Sequence, residues 1–404
     1  MNILFLTILK INTINDRGVY PDLLRKFHRE GHKVFIVTPL ERRYHHRTTL
    51  EKDGNVSILK ISSLNIQKTN PLEKLLSTLL INRQFLRGIR HYFPEVKFDV
   101  IIYATPPITF TGLVNYLKRK TGARTYLLLK DIFPQNAVDI GIIKRGGLLH
   151  HYFIRSEKKL YGISDHIGCM SQANVDYLIQ AHPEIDNKKI EINPNSHELF
   201  REGITKEQRE FIRKKYRIPL DATLFVYGGN LGKPQGIDFI LDFLNSQKNS
   251  ENAFFLIAGS GTEFNKIESW FEINKPINAT LLSELPKQDY NTILRSGDVG
   301  MIFLDNRFTI PNFPSRLLSY LEYRLPVLAA TDRNTDLGKV IMENKLGLWS
   351  ESGDLDAINQ NTCKLLSDAG LRSEMGHNGF NYFVENYTVD RSYEIIMNHF
   401  RKNR

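Results

Sequence analysis

The segment "IPNFPSRLLSYLEYRLPVLAAT" concentrates the side chains best suited to hold a charged ligand. Pro314 before Ser315 marks a helix start, and the two turns from Ser315 to Glu322 place those residues on one helical face. Backbone N–H groups near Ser315 and the guanidinium of Arg316 suit a phosphate, while the carboxylate of Glu322 can accept hydrogen bonds from ribose hydroxyls. An ordinary solvated surface helix would account for the same residues. A second segment, "LFVYGGNLGKPQGIDFI", joins a buried-type strand to a helix through Gly228, Gly229, Gly232 and Gly236. Such a turn lets backbone N–H groups approach an anion, and Lys233 adds a full positive charge. No "GK[ST]" follows, so this is not a Walker loop, and a tight connection would account for the glycines equally well.

Other signals are weaker. "FFLIAGSGTEF" puts Gly261 after a strand, but Phe264 occupies the place of the third glycine of a dinucleotide fingerprint. In "LLLKDIFPQNAVDIG", Lys130, Asp131 and Gln135 lie just beyond a strand, where open α/β sheets bind ligands. Asp131 is a candidate for holding a sugar hydroxyl or acting as a base, with a helix N-cap or turn role as the alternative. The twelve histidines form no "HExxH" or carboxylate-rich cluster, so no metal site is expected.

These residues must be positioned by a regular scaffold. "NILFLTI", Tyr20 to Glu30, "HKVFIVTP", "FDVIIYATPP" and "ARTYLLLKDIFP" follow the βαβ rhythm of a parallel sheet. The rhythm falters after "KIEINPNSH" and resumes with "ATLFVYGGN", "AFFLIAGSG", "VGMIFLD" and "LPVLAAT". At 404 residues the chain suits two α/β domains around a cleft, with boundaries expected at 1–200 and 201–385 and a C-terminal helix, 386–404, at their junction.

The net charge of +10 is uneven. Residues 1–200 carry 29 Lys and Arg against 18 Asp and Glu, which leaves 25 against 26 in the remainder. A basic first domain facing anionic phospholipid or a phosphorylated partner is one reading, and a surplus of surface cations is another. From Leu72 to Phe93, apolar residues recur at helical spacing beside Arg83, Arg87 and Arg90, as in a membrane-surface helix or a core helix. The apolar N-terminus reads as a strand, and no apolar run is long enough to span a bilayer. Cys169 and Cys363 are too few for a disulfide scaffold, which suits a reducing, cytoplasmic setting.

Three stretches, "KDIFPQNAVDIG", "YGGNLGKPQGID" and "FPSRLLSYLEYRLPVLA", resemble the family-four retaining glycosyltransferases. The resemblance runs through nearly the whole chain and implies the GT-B fold, with two facing Rossmann-like domains. It is nearest to the branch that adds N-acetyl-L-fucosamine or related amino sugars in bacterial O-antigen and capsule assembly. Glu322 matches the second glutamate of that family's pair, which holds the donor ribose, while Pro314 stands where the first belongs. The family's Arg and Lys in the glycine loop correspond to Asn230 and Gln235, so Lys233 or Arg316 must supply the charge.

The resemblance implies a donor site of Gly18, Gly229, Asn230, Lys233, Gly261, Ser315, Arg316, Leu317 and Glu322. Arg17, Lys130 and Asp131 fall on the acceptor side, and Asp131, Lys233 and Arg316 are expected to serve the chemistry. The implied substrates are a UDP-sugar and an undecaprenyl-diphosphate-linked acceptor, with no cofactor, no metal ion and attachment to the inner membrane face. An isomerase resembling UDP-N-acetylhexosamine 2-epimerase would share the fold. A basic pI near 9.3 also raises nucleic-acid binding, for which the sequence carries no signature.

Overall fold

The computed structural model describes residues 1–66, 69, 71–200, 203–283 and 285–401. The chain divides into two compact units, the first comprising Met1–Glu198 with the chain from Val389 onward, the second Leu199–Thr388. The first break thus falls two residues before the expected boundary at 200. The second falls at 388, so the C-terminal helix belongs to the first unit.

Unit 1 is built on eight strands: β1 (Asn2–Leu6), β2 (Lys33–Glu41), β3 (Thr49–Asp53), β4 (Val56–Ser63), β5 (Val100–Ala104), β6 (Arg124–Leu129), β7 (His166–Cys169) and β8 (Ile190–Ile192). Their order is β3-β4-β2-β1-β5-β6-β7-β8, with only β3 antiparallel to its neighbour. Ile3 pairs with Val34 on one side and Val100 on the other. Strands β1 and β5 are apolar runs because helices cover both faces of the sheet.

One face carries the helix Val19–Arg29, whose Tyr20, Leu23, Leu24 and Phe27 recur at helical spacing and pack with Ile3 and Phe5. The C-terminal helix Val389–Arg401 joins the same cluster through Val389, Tyr393, Ile396, Met397 and Phe400. On the other face, the helix Pro71–Tyr92 buries Ile81, Phe85 and Ile89 in the core, which meets the core-helix reading. Its Leu76, Leu79 and Leu80 nevertheless remain exposed, and the side chains of Leu72 and Leu75 lie outside the described residues.

Polar bonds fix the C-terminal helix to unit 1. His32 Nε2 and Tyr393 Oη lie 3.0 Å apart, and the Ser392 hydroxyl donates to Asn193 Oδ1 at 2.7 Å. The His166 and His399 rings stack with centroids 3.7 Å apart. Arg124 spans both, reaching the His399 carbonyl at 2.6 Å and His166 Nε2 at 3.1 Å. Because Arg124 can only donate, His166 Nε2 must keep its lone pair.

Unit 2 contains six parallel strands: β9 (Thr223–Asn230), β10 (Ala253–Ser260), β11 (Ala279–Leu282), β12 (Val299–Phe303), β13 (Val327–Thr331) and β14 (Gly347–Glu351). Their order, β11-β10-β9-β12-β13-β14, reverses direction between β9 and β12. A ligand crevice is expected beyond the carboxyl ends of strands at such a point. The unit opens with the helix Lys206–Lys215, started by a Thr205–Gln208 capping box. Arg213 is buried there, donating to the Ala222 and Ser296 carbonyls and to Asp298 at 2.8 Å.

Burial, with the charges of His399 and Arg124, lowers the His166 pKa from 6.5 to about 4. Below 6.5 the unfolded chain therefore takes up a proton that the folded chain refuses until about pH 4. The contribution of His166 to stability should be constant above that window and fall as the pH drops through it. The difference in thermal-unfolding midpoint between the wild type and His166→Gln, which keeps an acceptor but cannot titrate, should fall as the pH drops from 6.5 to about 4.

Candidate functional site

In unit 2 the carboxyl end of β9 runs into a turn at Lys233–Gln235, and the helix Arg316–Glu322 follows the long connection after β12. Both connections leave strands that flank the reversal in strand order. They meet through Arg316, whose Nη2 donates to Gln235 Oε1 at 2.8 Å. Its guanidinium carbon lies 4.3 Å from the centroid of the Tyr227 ring. The Tyr227 hydroxyl in turn donates to the Asn230 carbonyl at 2.8 Å.

The seven-residue helix anchors this arrangement by burying Leu317, Leu318, Tyr320 and Leu321. Two glycines make the close approach possible. A Cβ at Gly228 would fall 1.9 Å from the Tyr290 hydroxyl, so only glycine lets that ring cover the strand end. A Cβ at Gly300 would collide with the Tyr320 ring at 2.4 Å.

The electrostatics suit an anion. Burial pulls against the Arg316 charge, but Tyr227, Tyr320 and Tyr290 outweigh it and hold the guanidinium pKa above its ordinary value. Arg316 Nη1 is buried and has no hydrogen-bond partner among the described residues. A buried cationic N–H without an acceptor is costly, and a phosphate oxygen would satisfy it. Lys233 is exposed in the same turn, and Gly229 lies open beside Arg316.

Other expected donor-side residues are placed differently. Leu317 offers neither side chain nor N–H, because its side chain is buried and its N–H donates to the Pro314 carbonyl at 3.2 Å. Gly261 serves packing, since a Cβ there would fall 2.3 Å from the Leu231 carbonyl. Gly18, in unit 1, has its N–H committed to Asp22 Oδ1 at 3.0 Å. Ser315 is exposed at the helix start but does not cap it through its side chain.

Glu322 lies six residues beyond Arg316, about 9 Å along the helix. It is only 3% exposed, and Oε1 accepts the Phe200 N–H at 2.9 Å. With Phe200, Arg295, Arg324 and Phe380 it lines a cavity of about 580 Å³ within unit 2. The carboxylate thus anchors the first residues of the unit, while Arg316 holds the anion-receptive end. Ser315 and Glu322 share a helical face as the spacing predicts, yet their surroundings differ.

In unit 1, Lys130 and Asp131 follow β6, and their side chains take different courses. Lys130 Nζ donates to the Asn193 carbonyl at 3.0 Å, and burial lowers its pKa to about 7. The Asp131 side chain is exposed, and desolvation by the protein around it pushes its carboxyl up to about 6. The N-cap alternative fails, because the helix Gln135–Asp139 is preceded by Pro134 and has no side-chain cap. Arg17 is half-buried in the connection after β1.

Tyr227 and Tyr290 were not legible as site residues. Tyr227 reads as one more apolar member of "LFVYGG", and only the paired glycines after it hint that another ring must fit there. Among the described residues no group of three His, Cys, Asp or Glu could hold a metal ion, and no helix is long and apolar enough to cross a membrane.

Comparison with known proteins is consistent along the chain. Residues 20–199 match the family described as Glycosyltransferase Family 4, and residues 208–382 match Glycosyl transferases group 1. WbjE of Pseudomonas aeruginosa, named as a glycosyltransferase, is 23% identical over 67% of this chain and 69% of its own length. WcaI of Escherichia coli K12, named as a glycosyl transferase of colanic acid biosynthesis, is 21% identical over 63% of each chain. The chain therefore spans less than two thirds of the E. coli relative. Among solved structures, Anabaena HepE in complex with UDP superposes with a TM-score of 0.71 over 100% of both chains, at 11% identity.

Two substitutions separate the roles assigned to the helix ends. Arg316→Met should weaken binding of inorganic pyrophosphate by about 10- to 100-fold in titration calorimetry. Glu322→Ala should instead cost about 1–3 kcal/mol of unfolding free energy, because the Phe200 N–H loses its acceptor.

Proposed function

We propose that this chain, a glycosyltransferase of the GT-B fold, moves an N-acetylated amino or deoxyamino sugar from a UDP-sugar to a lipid-diphosphate-linked acceptor. The setting is bacterial O-antigen or capsule synthesis at the inner face of the cell membrane, with retention of the donor's anomeric configuration. The observation that carries the reading is the buried, unsatisfied Nη1 of Arg316 beside Gly229, at the strand-order reversal of unit 2. UDP as the nucleotide is supported by the complex of HepE, and polysaccharide assembly by the name of the E. coli relative. The run Pro314-Ser315-Arg316 supports the amino-sugar branch.

Departure of the nucleotide diphosphate builds negative charge, which this reading sets beside Arg316. Arg316, Lys233 and nearby backbone N–H groups stabilise that charge, and fixed donors act there without reorganising. With Arg316 and Lys233 supplying the positive charge, turnover should survive a chelator. Glu322 remains the ribose-side residue of this reading, acting through its hold on the start of unit 2. On unit 1, the Asp131 carboxylate holds or deprotonates an acceptor hydroxyl.

A panel of UDP-sugars incubated with a fluorescent undecaprenyl-diphosphate sugar tests the reading. One amino-sugar donor should give a longer lipid-linked product. Conversion of a UDP-N-acetylhexosamine to its 2-epimer without acceptor would contradict it. Asp131 is active as the carboxylate, so the rate should rise with pH through about 6. Asp131→Asn should lower the rate at least about 100-fold and abolish that limb of the profile.

A further inference from the structure

Unit 1 exposes large apolar side chains that its own packing does not require. Ile142 is 65% exposed, Leu148 92%, Leu149 50% and Tyr152 43%. The last three lie in the first turns of the helix Leu148–Ile163, whose Phe153, Leu160 and Tyr161 already fill the core beneath it. The outward side chains are therefore surplus to folding, and an apolar cluster in water marks a contact surface.

The charges around them indicate what is contacted. Between Gly141 and Lys159 the cations Lys144, Arg145, Arg155, Lys158 and Lys159 are all exposed. The one carboxylate in that stretch, Glu157, is buried and accepts a hydrogen bond from Tyr161 at 3.0 Å. Leu148, Tyr152, Arg155 and Lys159 recur at i, i+4, i+7 and i+11, so one helical face runs from apolar to basic.

A neighbouring element repeats the pattern. The short helix Ile108–Phe110 packs against both Leu148–Ile163 and Pro71–Tyr92. Thr109 secures the second of these through its hydroxyl to the Thr78 carbonyl at 3.1 Å. That helix presents Leu76, Leu79 and Leu80, followed one and two turns later by exposed Arg83 and Arg87.

We infer that the surface formed by Ile142, Leu148, Leu149 and Tyr152 with Lys144, Arg145 and Arg155 docks on an anionic lipid bilayer. The aliphatic tips enter the acyl boundary, Tyr152 lies at headgroup level, and the cations meet lipid phosphates. A nucleic acid would use the cations but gain nothing from a leucine exposed at 92%. The inference rests on the lipid-linked acceptor reading for why a bilayer is the partner. It goes beyond that reading by moving the contact from the 72–93 segment to the start of the Leu148–Ile163 helix.

Flotation of the full chain with unilamellar vesicles tests it. The protein should float with mixed phosphatidylglycerol and phosphatidylcholine vesicles but not with phosphatidylcholine alone, and about 1 M salt should release most of it. Leu148→Asp with Leu149→Asp should weaken partitioning at least about tenfold, as should Arg145→Glu with Arg155→Glu. UDP binding, measured on the same samples, should stay unchanged in both variants and so certify their fold.

Failure of the wild-type chain to float while it binds UDP would overturn the inference and leave the donor reading intact. Wild-type flotation of the aspartate variant would also overturn it. So would a self-association that Leu148→Asp abolishes in sedimentation without any vesicle binding. Vesicle binding without UDP binding would uphold the inference and sink the donor reading.

Discussion

A guanidinium taken out of water must find acceptors for its N–H groups, and the connections after β9 and β12 are arranged around Arg316 under that constraint. Gln235 takes one bond, the Tyr227 ring supports the flat face, and Nη1 has no hydrogen-bond partner among the described residues. The glycine after Tyr227 has no side chain because Tyr290 needs the space. The helix carrying Arg316 is short, yet its buried leucines and Tyr320 fix its rotation and therefore the direction of the guanidinium. Where the resemblance calls for basic residues in the glycine loop, this chain has the neutral Asn230 and Gln235. Gln235 supports the charge next to it by accepting from Arg316 Nη2.

Unit 1 obeys a different constraint. Its first connection is held by Asp22, fully buried, which accepts the N–H groups of Gly18 and Glu198 and the guanidinium of Arg25. One carboxylate thereby ties the turn after β1 to the end of the first crossing of the chain. Because the Gly18 N–H is spent on Asp22, this turn does not act as an anion cradle of the dinucleotide type. What unit 1 presents to solvent near β6 is the Asp131 carboxylate, with its neighbour Lys130 turned inward to the Asn193 carbonyl.

The fully buried strands were legible because a short, continuous apolar run bounded by polar turns fits a strand covered on both faces better than any other element. Strands β3, β8 and β11 were not, since "TLEKD", "IEI" and "ATLL" are short and lie at sheet edges with little apolar periodicity. The C-terminal helix was legible as a helix, but its place was decided by His32, Asn193 and Arg124, none of them near it in sequence. The same limit governed the site. Spacing placed Ser315 and Glu322 on one face, whereas the Glu322 environment depends on Phe200, 122 residues away. The Arg316–Gln235 bond spans 81 residues, so the sequence could name Arg316 as a substitute cation but could not choose between it and Lys233.

The central claim is that Arg316 receives the donor diphosphate, and a crystal structure of the chain with UDP tests it most directly. The account predicts a diphosphate oxygen within hydrogen-bond distance of Arg316 Nη1, at about 2.7–2.9 Å, with Gln235 still holding Nη2. A diphosphate bound away from Arg316, with Nη1 still unsatisfied, would contradict it.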